Sequence, residues 1–363
     1  MGWKSEMKEC SRTLEDLGDL LRFGEADRAR ISAILDRAPM AVPPYYLSLI
    51  DFNDPEDPIL KLAVPSLLEE DQSGSLDTSG EADNTVIAGI QHKYRETVLM
   101  LATNECAMYC RHCFRKRIVG LPDDGIAKDF DKIAAYLHAH TEITNVLVSG
   151  GDAMMCSNER LGEILGLLAG IPHIDFVRIA TRAPVTLPSR ITSDIGLLDV
   201  LKRYRERKQL FVVTQFDHPR EVTSEAAKAV RAILDLGIPV RNQTVLLRGV
   251  NDDVEVLASL LQKLTSIGVE PYYVFQCRPV SGVKNQFQVP LKEGVRIVEG
   301  AKALQNGIGK SFRYCMSHVT GKIEILGTLS EGPMAFKYHE AKDRESIGRL
   351  FVREVADDQA WLD

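Results

Sequence analysis

From about residue 96 the chain alternates short β-branched runs with longer amphipathic stretches, six times in succession, and few folds accept that pattern. The runs at 98–103, 145–149, 176–180, 210–215, 240–246 and 271–276 have the length and composition of strands. The stretches at 127–140, 158–169, 196–207, 224–236 and 253–267 repeat apolar residues at helical spacing. Strand–helix repeats of this kind imply a parallel sheet covered by helices. The expected fold is α/β, a partial (β/α)6 TIM-like barrel whose strand-to-helix loops share the face where ligands bind.

The flanks define the remaining organisation. Residues 1–92 form an N-terminal helical extension with an acidic loop, 93–310 the barrel core, and 311–363 a small β-rich cap. In the extension, residues 6–38 carry a charged helical pattern with apolar positions Leu14, Leu17, Leu20, Leu21, Ile31, Ile34 and Leu35, ended by Pro43-Pro44. Residues 51–85 are rich in Asp, Ser and Gly and read as an excursion rather than a packed element. The barrel core closes with a helix at 293–306, and the cap reads as strands at 323–326, 334–338 and 350–353, placed to cover the barrel mouth and exclude water.

A chain of 363 residues with net charge −7 has enough apolar content for a large core and no general basic surface, which argues against nucleic acid as its partner. No run of eighteen apolar residues occurs, so a membrane is not expected and the cytoplasm is.

The chemistry gathers where the first strand ends. Cys106, Cys110 and Cys113 are spaced C-x3-C-x2-C, and the other cysteines (10, 156, 277 and 315) are scattered. Three thiolates on one loop can hold three irons of a [4Fe-4S] cluster and leave the fourth open, a position that the amino and carboxylate groups of S-adenosylmethionine (SAM) suit. Two other readings stand beside it. A zinc site would need His112 as fourth ligand, next to Cys113 and strained for a tetrahedron. A disulfide would leave an odd thiol.

Other loops on the same face carry polar groups. Ser149-Gly150-Gly151-Asp152 follows the second strand, where glycines let backbone approach a ligand and Asp152 can accept from an ammonium. Thr181-Arg182-Ala183-Pro184 follows the third strand, Gln215-Phe216-Asp217-His218-Pro219 the fourth, and Asn242-Gln243 lies within the fifth. Each is equally an ordinary turn or cap.

Taken together, Cys110-Arg111-His112-Cys113-Phe114-Arg115-Lys116-Arg117, the Ser-Gly-Gly-Asp turn, Arg182-Ala183-Pro184-Val185, Phe216-Asp217-His218-Pro219 and the run from Asn242 to Asp252 resemble the lysine 2,3-aminomutase family of radical SAM enzymes. The likeness spans about 92 to 282. It implies a [4Fe-4S] cluster on the three cysteines and SAM cleaved to a 5′-deoxyadenosyl radical that abstracts hydrogen from a substrate. It further implies SAM held by Ser149, Gly150, Gly151, Asp152 and Gln243, with Arg182 and Gln215 in the same wall, and Arg115 gripping the carboxylate of an amino acid, a task suited to a bidentate guanidinium. An external electron donor of the flavodoxin or ferredoxin type and a homo-oligomer also follow from it.

Two departures narrow the chemistry. The family anchors the phosphate of pyridoxal phosphate (PLP) with an arginine pair before the first strand; here Lys93 keeps one charge and Thr97 replaces the other. The family's glycine-rich loop before the imine lysine is absent, and its counterpart is Thr320-Gly321-Lys322, leaving PLP open and Lys322 either an imine lysine or an ordinary strand residue. Lysine-specific members place acids where this chain has Arg278 and His318, so Arg278 would repel a lysine side chain and suit a carboxylate. The expected activity is hydrogen abstraction from a free amino acid other than lysine, with PLP-free oxidation such as desaturation placed ahead of a PLP-dependent 2,3-amino shift. An iron–sulfur protein for sensing or electron transfer, and modification of a protein partner, are the alternatives.

Overall fold

The computed structural model describes residues 2–20, 24–121, 125–330 and 332–362. Among these, twelve strands form one sheet in chain order. A hairpin of β1 (Thr85–Ile87) and β2 (Ile90–Tyr94) leads antiparallel into β3 (Thr97–Thr103). Next come β4 (Asn145–Gly150), β5 (Phe176–Ala180), β6 (Gln209–Thr214), β7 (Val240–Leu246) and β8 (Glu270–Gln276), each parallel to the strand before it. The helices Phe130–Ala139, Asn158–Ala169, Ile195–Arg205, Ser224–Asp235 and Val254–Ser266 fill the crossovers. The (β/α)6 core is therefore as expected.

The helix Ser224–Asp235 shows why the local pattern holds. The Thr223 side chain caps it by accepting from the Ala226 N–H, and Ala226, Ala229, Val230 and Ile233 fall on one face and are fully buried. Truncating a buried residue of this kind, Ile233→Ala, costs ~2–5 kcal/mol.

Three features differ from expectation. The helix Leu291–Ala303 is followed by a further parallel strand, β9 (Arg313–His318), paired with β8. Its sequence, Arg-Tyr-Cys-Met-Ser-His, has no β-branched residue, and burial of Tyr314, Cys315 and Met316 stabilises it instead. The C-terminal β segment, β10 (Gly321–Thr328), β11 (Met334–Ala341) and β12 (Leu350–Arg353), continues antiparallel from β9, so it extends the barrel sheet.

The second difference is in 51–85, which is packed after all. Asp57 caps the helix Pro58–Ala63, whose Ile59, Leu62 and Ala63 are fully buried, and Glu69, Ser79 and Glu81 are buried polar residues. Polar composition concealed this, because each buried polar side chain is answered by a partner far along the chain. The third concerns 6–38, which breaks into Trp3–Lys8, Leu14–Leu17 and Glu25–Arg37. Gly18 at φ 52 ends the second piece. Leu14, Leu17, Ile31 and Ile34 enter the core, Leu20 is half exposed, and Leu21 lies outside the described residues. No described helix is long and apolar enough to cross a membrane.

Candidate active site

The three cysteines lie half-buried on the loop after β3, and all seven cysteines of the chain are unpaired by disulfides. The N-terminal extension holds this loop. The Tyr109 N–H donates to the Ala41 carbonyl (3.2 Å) and the Arg111 N–H to that of Leu62 (2.9 Å). The buried Arg111 guanidinium grips Glu69 at 2.8 and 2.6 Å and caps the Ala38 and Pro39 carbonyls at 3.1 and 3.0 Å. Lys116 Nζ meets Glu69 Oε2, the oxygen that Arg111 Nη2 also holds, at 2.6 Å. Burial would raise the Glu69 carboxyl, but Arg111 and Lys116 hold it below the usual carboxylate range.

The donor set suits a metal cluster. Burial pushes the Cys110 thiol up to about 11 against the pull of Arg182, and burial with the nearby Asp152 raises that of Cys106 well above its usual value; bound iron reverses that penalty by holding thiolates. Two donors already point at sulfur: Arg182 Nη1 lies 2.7 Å from Cys110 Sγ and the Arg115 N–H 3.4 Å from Cys113 Sγ. Such outer hydrogen bonds orient and tune iron–sulfur thiolates. His112 does not join them. Its Nε2 lies 2.7 Å from Gln215 Nε2 and 3.4 Å from Asp217, and burial keeps it neutral.

The Ser149–Asp152 turn is fixed by close packing against the cysteine loop. A Cβ on Gly150 would meet the Thr103 carbonyl oxygen at 2.1 Å, and one on Gly151 that of Glu105 at 2.3 Å. The glycines thus press the turn against the start of the cysteine loop. Asp152 is buried and accepts from the Met154 N–H (2.9 Å) and, across the strands, from the Arg182 N–H (2.7 Å). Each oxygen takes one backbone N–H, so Asp152 pins the two loops together.

Arg182 likewise faces inward. Its Nε donates to the Gln215 carbonyl (2.9 Å) and its Nη2 pairs with Glu221 (2.6 Å) and Asp217 (3.3 Å). Gln215 Nε2 donates to Asp217 at 2.8 Å. Arg182 and Gln215 therefore support the Cys110 side of the loop. Gln243 is half-buried on β7 beside Tyr273, and among the described residues its side-chain amide has no partner, which leaves it available to a ligand.

Arg115 is buried in a polar pocket. Its Nη1 donates to Ser149 Oγ (3.0 Å) and the Gly150 carbonyl (3.2 Å), tying it to the turn after β4. Its Nε lies 3.4 Å from Glu81, whose other oxygen meets Arg117 at 2.6 Å. The Phe114 ring has the Arg115 guanidinium 4.5 Å and the Arg278 guanidinium 4.0 Å from its centroid. Arg278 also donates to Ser79 Oγ (3.0 Å). Burial lowers the Arg278 guanidinium to about 10, against the pull of Glu81. Sequence reading missed Glu81 and Phe114, since neither stands out in an acidic stretch or beside a cysteine. Arg117 showed only as part of a basic run.

Lys322 stands on β10 with its Nζ 4.5 Å from the Tyr273 ring centroid and 3.2 Å from Glu340, and its side chain is 12% exposed. It is thus a partly buried amine and not a surface lysine. Tyr273 in turn bonds His339 Nε2 (2.8 Å). Lys93 donates to the Ser79 and His318 carbonyls (3.2 and 2.6 Å). Burial first, then Arg278 and Lys342, lower the Lys93 ammonium to about 8. Thr97 Oγ1 accepts from Asn145 Nδ2 at 3.0 Å. The residues fit PLP at the amine, through Lys322, and fit an anionic group through the cations Lys93, Arg278 and Lys342.

A parallel barrel with three cysteines after its first parallel strand defines the class, and residues 100–261 match the Radical SAM superfamily. Full-length relatives narrow it. The chain is 39% identical to the L-lysine 2,3-aminomutase of Clostridium subterminale over 348 residues, 95% of this chain and 80% of that protein. It is 36% identical to the glutamate 2,3-aminomutase of Clostridioides difficile (strain 630) over 311 residues, 84% of this chain and 72% of that protein. The chain belongs to the lysine 2,3-aminomutase family, a family whose enzymes carry a [4Fe-4S] cluster and use SAM. A solved structure, anSMEcpe with bound AdoMet, aligns over 59% of this chain and 62% of its own at 13% identity and TM-score 0.46. These relatives are aminomutases, and they give no support to the expected desaturation.

Proposed function

We propose that the protein is a 2,3-aminomutase for an α-amino acid with an anionic side chain, with Lys322 the lysine that takes up PLP. The observation that carries this reading is the set of basic groups, Lys322 among them, whose charges meet at Lys93, a buried amine held by the Ser79 and His318 carbonyls. Arg278, Lys342 and Lys322 all bear on Lys93 and depress its ammonium beyond what burial does. Like charges held together at a cost are relieved by bound anions, here the cofactor phosphate and the substrate's distal carboxylate.

When bound, the cofactors supply a hydrogen-abstracting radical and an electron sink that lets an amino nitrogen pass between neighbouring carbons. The chain supplies positioning. Arg115 orients the α-carboxylate, fixed by Ser149 and the Gly150 carbonyl. Arg278 selects the distal group by charge, where lysine-specific relatives place an acid. Lys322 is held by Tyr273 and Glu340. An external one-electron donor of the flavodoxin or ferredoxin type completes the reading.

The test is anaerobic reconstitution with iron, sulfide, SAM and PLP, followed by borohydride reduction and peptide mass spectrometry, with turnover of L-glutamate and L-lysine compared. A pyridoxyl adduct on Lys322, lost in Lys322→Ala, together with a β-amino product from glutamate, is the expected result. No adduct while SAM is still cleaved would overturn it in favour of a PLP-free reaction, which the loss of the second phosphate cation at Thr97 favours.

A further inference from the structure

Glu81 is a buried carboxylate placed among three guanidinium groups. It lies 3.4 Å from Arg115 and 2.6 Å from Arg117, and it is the leading partner that supports the charge of Arg278. Burial alone would raise its carboxyl, yet Arg115, Arg117 and Arg278 together hold it below the usual range. A carboxylate thus already sits on the guanidinium that is assigned to the substrate's carboxylate.

The segment that carries Glu81 is lightly built. Asp77 caps the four-residue helix Glu81–Asn84 through the Glu81 and Ala82 N–H groups at 2.7 and 2.9 Å. Gly80 enters it in the left-handed region at φ 66. It leads into the three-residue edge strand β1, in which Thr85 and Val86 are exposed. Elsewhere the segment touches the loop after β8: the Ser75 N–H donates to the Pro279 carbonyl (3.0 Å) and Arg278 to Ser79 (3.0 Å). Besides the short β1–β2 pairing, polar contacts hold it to the barrel: the charged ones at Glu81 and Lys93 Nζ on the Ser79 carbonyl (3.2 Å).

We infer that Glu81 is the resident occupant of the carboxylate clamp, and that an incoming substrate carboxylate displaces it and releases the segment 75–87. This rests on Arg115 being the substrate clamp, as proposed above. Glu81 then sets selectivity as well as access. A ligand must present a carboxylate able to outcompete it, and ligands without one leave the latch shut. In the closed state the three cations are partly neutralised. Substrate binding exchanges one carboxylate for another and leaves the charge of the pocket unchanged.

The experiment uses reconstituted holoenzyme with SAM and measures L-glutamate binding by calorimetry and hydrogen exchange of peptides spanning 75–87. In the wild type, saturating glutamate should speed exchange in 75–87. Glu81→Gln should tighten glutamate binding at least threefold, since the competent state is no longer a minor fraction, and should remove the ligand effect on exchange. Arg117→Met, which cuts the shorter arm of the latch, should act in the same direction and guards against a misfolded Glu81 variant.

Weaker binding in both variants, or slower exchange in 75–87 on ligand addition, would overturn the inference and make Glu81 a support that orients Arg115. Arg115→Met separates the two layers. If glutamate binding survives that change, Arg115 is not the clamp; if binding is lost while the Glu81 and Arg117 variants bind as the wild type, the clamp stands and the latch falls. No binding in any protein, Glu81→Gln included, overturns both.

Discussion

Glu69→Gln tests whether the N-terminal extension holds the cysteine loop. The Glu69 carboxylate answers Arg111 and Lys116 at 2.6 Å each, and the three side chains are 1%, 1% and 9% exposed for Glu69, Arg111 and Lys116. An amide of the same shape keeps the packing but leaves two buried cations without a counter-charge. Breaking a buried pair in this way costs ~3–5 kcal/mol, which for a chain of this size lowers the melting temperature by about 5 °C. The comparison is Glu56→Gln, which breaks the pair with Lys61 in which Glu56 is 79% exposed and which should cost less than ~1 kcal/mol. Calorimetry gives the stability, and iron and sulfide per chain after reconstitution report whether the loop still binds its cluster; both should fall for Glu69→Gln and neither for Glu56→Gln. The pH dependence adds a sign. The Glu69 carboxyl is held below its usual 4.5 in the folded protein, so its stabilisation is full above 4.5 and disappears as the pH falls through the lowered value. The gap between wild type and variant should therefore be constant near neutrality and close only in acid. If Glu69→Gln melts within a degree or two of Glu56→Gln, the buried network does not hold the loop.

Three further outcomes are expected. Arg278→Asp should exchange preference from an acidic toward a basic side chain, read as a rise of at least tenfold in the kcat/KM ratio for lysine over glutamate; an unchanged ratio would remove Arg278 from substrate selection. Arg182→Met leaves Glu221 and Asp217 without their buried counter-charge and removes the donor to Cys110, so the cluster's midpoint potential, followed by electron paramagnetic resonance, should shift, and an unshifted potential would show that Arg182 does not act on the cysteine. Burial raises the Asp217 carboxyl to about 7, so its contribution to stability is full below its usual 3.8 and is lost as the pH rises through about 7. Asp217→Asn should flatten the fall in melting temperature across that interval, and a slope equal to that of the wild type would contradict the burial account.

The barrel was readable because each of its units is a local statement. Periodicity placed β5 at 176–180, β7 at 240–246 and the helix at 158–169 with the bounds they have in the structure. β9 escaped since it is stabilised by burial against the core, which Tyr314 and Cys315 acquire beside β8 and not from their neighbours in the chain. The cysteines, Arg115 and Arg278 were legible as residue types at telling positions. Their partners were not, because Glu81 is 34 residues from Arg115 and Glu69 is 42 from Arg111. Asp152 shows the same limit. Its place after a strand was legible, while the backbone N–H groups that it accepts from belong to residues two and thirty positions away.

The pocket's charges make most sense considered jointly. Arg115, Arg117 and Arg278 face one carboxylate, Glu81, and Phe114 stands between two of the guanidinium groups. If Arg278 were the acid found in lysine-specific relatives, Glu81 would have a like charge nearby and the latch would be weakened. With an arginine there, Glu81 is held more firmly, and the carboxylate that replaces it must outcompete it against three cations instead of two. One substitution would thus both refuse a basic side chain and raise the threshold for opening. The double variant Arg278→Asp with Glu81→Gln decides whether the two effects are coupled: their binding energies for lysine should be non-additive, by a factor of three or more, whereas additive effects would mean that selection and latching are independent.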